Sequence, residues 1–114
     1  MHEVSIAANL IEIVSEQCRK DGYKKIESIH LKIGRASGIM TDALLFAFDA
    51  IKTDSLAKDA VLMIDEIAVS GRCSDCGRNF TVEEEYVLQC PICGGASFQV
   101  SGGRELDIVD MEVS

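Results

Sequence analysis

Two CxxC pairs constrain this chain more than any other feature. Cys73-Ser-Asp-Cys76-Gly and Cys90-Pro-Ile-Cys93-Gly stand thirteen residues apart. In such a pair the two intervening residues form a tight knuckle that brings both sulfurs onto one ion, with backbone amides pointing at the sulfurs. A glycine after each second cysteine suits the left-handed backbone that such a turn often requires. Four thiolates closing a tetrahedron are the usual structural zinc site, and with four protein ligands no position stays open for a catalytic water. Cys73, Cys76, Cys90 and Cys93 are therefore expected to hold Zn(II). Residues 72–98 are turn-rich and poor in core side chains, with an acidic run Glu83-Glu84-Glu85 midway. Metal binding should supply most of their folding free energy, which for structural zinc in small peptides is about 10–16 kcal/mol apparent at neutral pH.

Three rivals use the same four cysteines. An iron-tetrathiolate electron carrier fits Cys90-Pro-Ile-Cys93-Gly but lacks an aromatic shell, since aromatics make up 5% of the chain and Trp is absent. A nucleic-acid-binding ribbon needs a basic face, and only Arg72, Arg78 and the more distant Arg104 lie near. Paired disulfides need an oxidising compartment. Glu3, Glu12 and Glu16 stand where a secretion signal would place its basic region and apolar run, which points to the cytoplasm and reduced thiols.

The remaining composition excludes more than it assigns. The 114 residues fit one modest domain, 47% hydrophobic and 26% charged, a globular balance. Eleven basic against nineteen acidic side chains give a net charge of −8, which disfavours both a phosphate backbone and an anionic membrane as partner. No apolar run approaches the length that crosses a bilayer, so no membrane insertion is expected. There is no phosphate-binding glycine loop, no HExxH and no nucleophile paired with a base, so the chain does not read as an enzyme.

Along the chain, Val4, Ala7, Ile11, Val14 and Cys18 repeat at helical spacing over 4–20, widened by Ala8, Leu10 and Ile13, with Gly22 as the stop. Cys18 on that stripe reads as core. Residues 24–34 alternate as a strand, with Ile29, Leu31 and Ile33 on one face and Ser28, His30 and Lys32 on the other, where His30 reads as solvated. Thr41 is the expected N-cap of a second helix through Ile51. A strand over 60–70, ended by Gly71, precedes the cysteines, and a last strand covers 104–113. Its apolar phase slips between Ile108 and Val109, which a bulge or a face switch would explain. The fold class is α+β: two helices packed on a three-stranded, mainly antiparallel sheet, with an inserted four-cysteine zinc-ribbon module. The expected division is 1–70 and 103–114 for the body and 71–102 for the insert, the strands on either side of the insert being adjacent and antiparallel.

Met1-His2-Glu3 is the second chemical signal. A terminal amine, the His2 amide nitrogen and His2 Nδ1 can close fused five- and six-membered chelate rings around one ion. The Glu3 amide could complete a plane, or its carboxylate could add an oxygen. Nitrogen-rich, tetragonal sites select Ni(II) or Cu(II). Amide coordination requires deprotonated backbone nitrogens, so these residues should lie outside regular helix. The alternative is an exposed terminus with no metal role.

Taken together, Met1-His2-Glu3, the amphipathic helix after it and the paired CxxC motifs resemble the HypA/HybF family of hydrogenase-maturation nickel chaperones. The resemblance spans the whole chain, including Ile33-Gly34, the approach from Glu66 to Cys76 and the closing strand from Gly103 to Val113. It implies that the Met1 amine, His2 and Glu3 belong to a nickel site and that the four cysteines hold structural zinc. It also implies delivery of Ni(II) to the large subunit of [NiFe]-hydrogenase together with a HypB-family GTPase, with urease served by some relatives. The knuckles match as plain CxxC pairs, with no histidine beside the second. Without that resemblance, the best alternative is a zinc-ribbon interaction or regulatory module.

Overall fold

The computed structural model describes residues 2–114, so Met1 and the part assigned to it lie outside the described residues. The elements run α1 (His2–Lys20), β1 (Ile26–Gly34), α2 (Thr41–Ile51), a single 3-10 turn (Lys52–Asp54), β2 (Val61–Ile67), β3 (Val69–Cys73), β4 (Asn79–Val82), β5 (Phe98–Gly102) and β6 (Leu106–Val113). Strands β2-β1-β6 make one three-stranded sheet and β4-β3-β5 a second. The chain divides into two compact units, one of 1–31, 39–65 and 108–114, the other of 32–38 and 66–107.

In the first unit α1 buries Ala7, Leu10, Ile11, Val14 and Cys18, a narrower stripe than the sequence suggests, because Val4 and Ile13 are exposed. Cys18 is fully buried, as its place on that stripe requires. The helix closes with the paired bonds of a Schellman turn, Tyr23 N–H to Cys18 O and Gly22 N–H to Arg19 O, both 3.0 Å. Leu44, Ala47 and Phe48 of α2 join Ile26, Ile29 and Leu31 of β1 in the buried set. Met40, not Thr41, is the N-cap of α2, and it makes no side-chain capping bond.

The strand order corrects two expectations. The apolar run at 60–70 is two strands in two sheets, parting at Ala68, and Gly71 lies inside β3 instead of ending a strand. A Cβ on Gly71 would run into the Gln99 carbonyl and the Phe80 ring. The strands before and after the cysteines in the first sheet are not adjacent either, because β1 stands between β2 and β6. β1 is the most thoroughly buried strand, and the centre is the position where both of its edges are hydrogen-bonded. β6 runs antiparallel to it: Lys25 and Ser114 exchange backbone bonds of 2.9 and 3.0 Å. Ser28 bonds Glu112, and His30 faces Asp110.

In the second unit β3 is central, pairing antiparallel with β4 (Gly71 opposite Phe80) and with β5 (Cys73 opposite Phe98). Gly34 lies directly against the backbone of Gly103 and Arg104, so closely that a Cβ there would overlap the Gly103 carbonyl. Backbone cannot move aside as a flexible side chain can. Gly34→Ala should lower stability by about 1–3 kcal/mol, the range for an overpacked methyl group, read as a reduced urea midpoint.

Candidate metal centre

The two knuckles are built alike. The Cys73 carbonyl accepts from Gly77 N–H at 2.9 Å and the Cys90 carbonyl from Gly94 N–H at 2.8 Å. Cys73 N–H donates to Arg78 O at 3.0 Å, and Cys90 N–H donates to Gly95 O at 2.8 Å. Gly77 and Gly94 have φ of +71° and +76°, with open space where a Cβ would stand. Backbone handedness, not crowding, is what these positions ask of glycine.

All four sulfurs lie within 4.8 Å of one another, the one group of three or more metal-capable side chains so placed among the described residues. Cys73 Sγ is 3.6 Å from Cys93 Sγ, and Cys76 Sγ is 3.9 Å from Cys90 Sγ. A tetrahedral ion with metal–sulfur bonds of about 2.3 Å spaces its sulfurs about 3.8 Å apart, so these distances fit a tetrathiolate ion with almost no rearrangement. All five cysteines are free thiols, and the S···S distances are far longer than a disulfide bond. Cys73 and Cys90 are buried with Phe80, against which Cys76, Val82, Val87 and Phe98 pack. Phe80 and Phe98 meet edge to face at 5.9 Å between centroids.

The electrostatics also ask for a cation. Ile92 N–H points at Cys90 Sγ and Gly95 N–H at Cys93 Sγ, both at 3.4 Å. The Cys93 and Ile92 amides help bring the Cys90 thiol down to about 7. At Cys93 the Gly95 amide pulls the same way, but the neighbouring sulfurs and burial outweigh it and push that thiol up to about 12. One thiolate is thus accommodated readily and further ones repel it. A divalent ion is what lets all four ionise together.

At the N-terminal segment the structure places His2 and Glu3 in the first turn of α1, with His2 exposed and Glu3 half-buried. The expectation that these residues lie outside helix is not met. The conflict it anticipated is absent as well, because first-turn N–H groups have no intrahelical acceptor. Glu3 Oε2 accepts a 3.0 Å bond from Met40 N–H. This bond, first among the causes, lowers the Glu3 carboxyl below its usual range. Glu3 thereby does for α2 what the acid of a capping box does, reaching the N-cap amide from another helix. Sequence reasoning missed this partner because the two residues are 37 apart. It also missed the ring of carboxylates around His30, whose Nε2 lies 2.8 Å from Asp65 Oδ2.

Removing the ion should release the second unit selectively. With a strong chelator, or in Cys90→Ser, amide signals of β4 and β5 should collapse to unfolded positions while those of α1 and α2 persist, as heteronuclear NMR would show. Because the thiols must shed protons to bind, ion affinity should fall as pH falls, and the same signals should be lost on acidification.

The profile of a family described as hydrogenase/urease nickel incorporation, metallochaperone, hypA, matches residues 1–113. The hydrogenase maturation factor HypA of Rhizobium leguminosarum bv. viciae is 41% identical over 113 residues, 99% of each chain. That of Chlorobium luteolum is 45% identical over 105 residues, 92% of this chain and 89% of the other. The solution structure of the Ni metallochaperone HypA from Helicobacter pylori aligns with a TM-score of 0.67 at 28% identity, covering 97% of this chain and 96% of that one. A second HypA solution structure gives 0.72 at 28% identity, covering 100% and 97%. No helix among the described residues is long and apolar enough to cross a membrane. With a family match over nearly its full length, and with its four cysteines converged on one point, the chain belongs to the HypA family of nickel-incorporation metallochaperones in hydrogenase maturation.

Proposed function

We propose that this chain is a cytoplasmic, non-enzymatic nickel chaperone. It binds Ni(II) through the Met1 amine, His2 and Glu3 and hands it to the large subunit of [NiFe]-hydrogenase, working with a HypB-family GTPase. Zn(II) held by Cys73, Cys76, Cys90 and Cys93 is structural: it neutralises the thiolates and fixes both knuckles. The division of labour follows from ligand exchange. A four-thiolate cage with two buried sulfurs suits permanence, whereas ligands on an exposed helix start can be replaced one at a time by those of a recipient.

The observation that carries this reading is the Glu3–Met40 bond. It ties the first turn of α1 to the N-cap of α2, and it already engages the Glu3 carboxylate. That favours nitrogen coordination, in which Glu3 offers its amide and His2 its amide and Nδ1. Such a set has the planar, nitrogen-rich character that suits Ni(II). The two nitrogens would be taken from the helix without breaking an intrahelical bond.

The test is a Ni(II) titration of zinc-loaded protein starting at Met1, beside the same protein carrying a short N-terminal extension. The free terminus should bind one nickel per chain tightly, and the extension should abolish it, as should His2→Ala. Equal binding by both forms, or none by either, would overturn the terminal site and leave a zinc-ribbon interaction module as the better reading. Because the imidazole must be neutral to bind, affinity should fall as pH falls, and a pH-independent affinity would exclude His2 ligation.

A further inference from the structure

The open face of the first sheet carries a group that nothing above uses. His30 stands on the central strand β1 between Asp65 of β2 and Asp110 of β6, all within the first unit. Its Nε2 lies 2.8 Å from Asp65 Oδ2, a strong hydrogen bond. A carboxylate only accepts, so this nitrogen carries the proton, and in a neutral ring Nδ1 is left with a bare lone pair. Nδ1 lies 3.8 Å from Asp110 Oδ2. The gap is too long for a hydrogen bond. In a neutral ring both atoms are acceptors, and the gap between them admits a cation, either a second ring proton or a metal ion.

We infer that His30 and Asp110 form a second, open site for a first-row divalent ion of the Ni(II) or Zn(II) class. In this site Asp65 positions the imidazole so that Nδ1 is the ligand. Bonds of about 2.1 Å to nitrogen and oxygen would subtend about 130° across the present gap. A tetrahedral Zn(II) needs a separation of about 3.4 Å and a cis pair on an octahedral Ni(II) about 3.0 Å, closures that rotation of the exposed Asp110 side chain would have to supply. A carboxylate on the far nitrogen of a ligating histidine is the usual outer partner in metal sites, fixing the tautomer and raising the basicity of the ring. The surroundings are accessible and anionic. His30 is 27% exposed and Asp110 61%. The charged groups that His30 meets are the carboxylates of Asp65 and Asp110. With two protein ligands and the rest water, the site would exchange quickly, as a transient holding position does. It is separate from the terminal site and does not depend on it.

The experiment uses the full zinc-loaded chain with the N-terminal extension, so that the terminal site is closed in every arm. Ni(II) is titrated by calorimetry, and the ring nitrogens are followed by long-range 1H–15N NMR. One further Ni(II) should bind, with the His30 Nδ1 resonance shifted or broadened and Nε2 still protonated. His30→Gln and Asp110→Asn should each remove that equivalent. Asp65→Asn should weaken it by about tenfold or more through loss of the fixed tautomer, with the amide spectrum otherwise unchanged. The inference is overturned if no nickel binds beyond the zinc complement or if His30→Gln leaves the titration unaltered. It is equally overturned if the His30 ring is doubly protonated at pH 7.5 and stays so with nickel, which would make the proton the cation that bridges the two aspartates.

Discussion

Everything in the second unit depends on four sulfurs being allowed to carry charge within 4.8 Å of one another. Its apolar complement is small: Phe80 and Phe98 edge to face, with Val82, Val87 and the cysteines themselves. Each knuckle spends its backbone bonds on shaping the loop and aiming N–H groups at sulfur, so the fold and the ligand geometry are one arrangement. The opposite displacements at Cys90 and Cys93 describe what the ion must do. Backbone donors stabilise the first thiolate. Mutual repulsion opposes the rest, and only a bound cation reverses that sign.

The helical unit is organised by a different constraint. Its core is ordinary hydrophobic packing, in which Cys18 is buried as a small apolar residue, as are Ile26, Ile29 and Leu31 of the first strand. What is unusual is where its polar bonds go. α2 makes no side-chain cap of its own, and the N-cap amide of Met40 is satisfied by Glu3 instead. An acid at the third residue of a helix is common near the positive end of the dipole. Here the same carboxylate also holds the start of α1 against that of α2. The first turn of α1 therefore has a defined position although its side chains face water.

Much of this was legible in the sequence because it is written in short-range periodicity. The 3.6-residue repeat announced α1 and α2, the two-residue repeat announced β1, and CxxC-Gly announced the knuckles down to the sign of φ at Gly77 and Gly94. What escaped was set by length and by distance along the chain. β4 and β5 span four and five residues, too short for alternation to stand out beside the turn signals of the knuckles. The run at 60–70 hides its break because β2 and β3 are both apolar and only Ala68 separates them. Strand order was misjudged because the rule that neighbours in sequence pair in space competes with burial, and burial placed β1 in the centre. The Glu3–Met40 bond and the carboxylates at His30 join residues 35 to 80 apart, which no local pattern records.

The donor sets on this chain form a series in softness and in exchange rate. Four thiolates with two buried sulfurs make a soft, closed cage that suits an ion meant to stay. In the proposed terminal site, amide nitrogens and the His2 imidazole would be borderline donors that a recipient could displace stepwise. An imidazole nitrogen beside a single carboxylate, as inferred at His30 and Asp110, would be the weakest and fastest of the three. A chaperone must hold its cargo more tightly than water does and less tightly than its client. Affinity alone cannot supply that selectivity, because first-row ions rank in nearly the same order at most nitrogen and oxygen sites. Geometry has to do it. The closed tetrahedron excludes an ion that prefers a plane, while an open terminus imposes no such exclusion. On this reading the thiolate cage protects the cargo route indirectly, by taking up the ion that fits it best and leaving the exposed nitrogens for nickel.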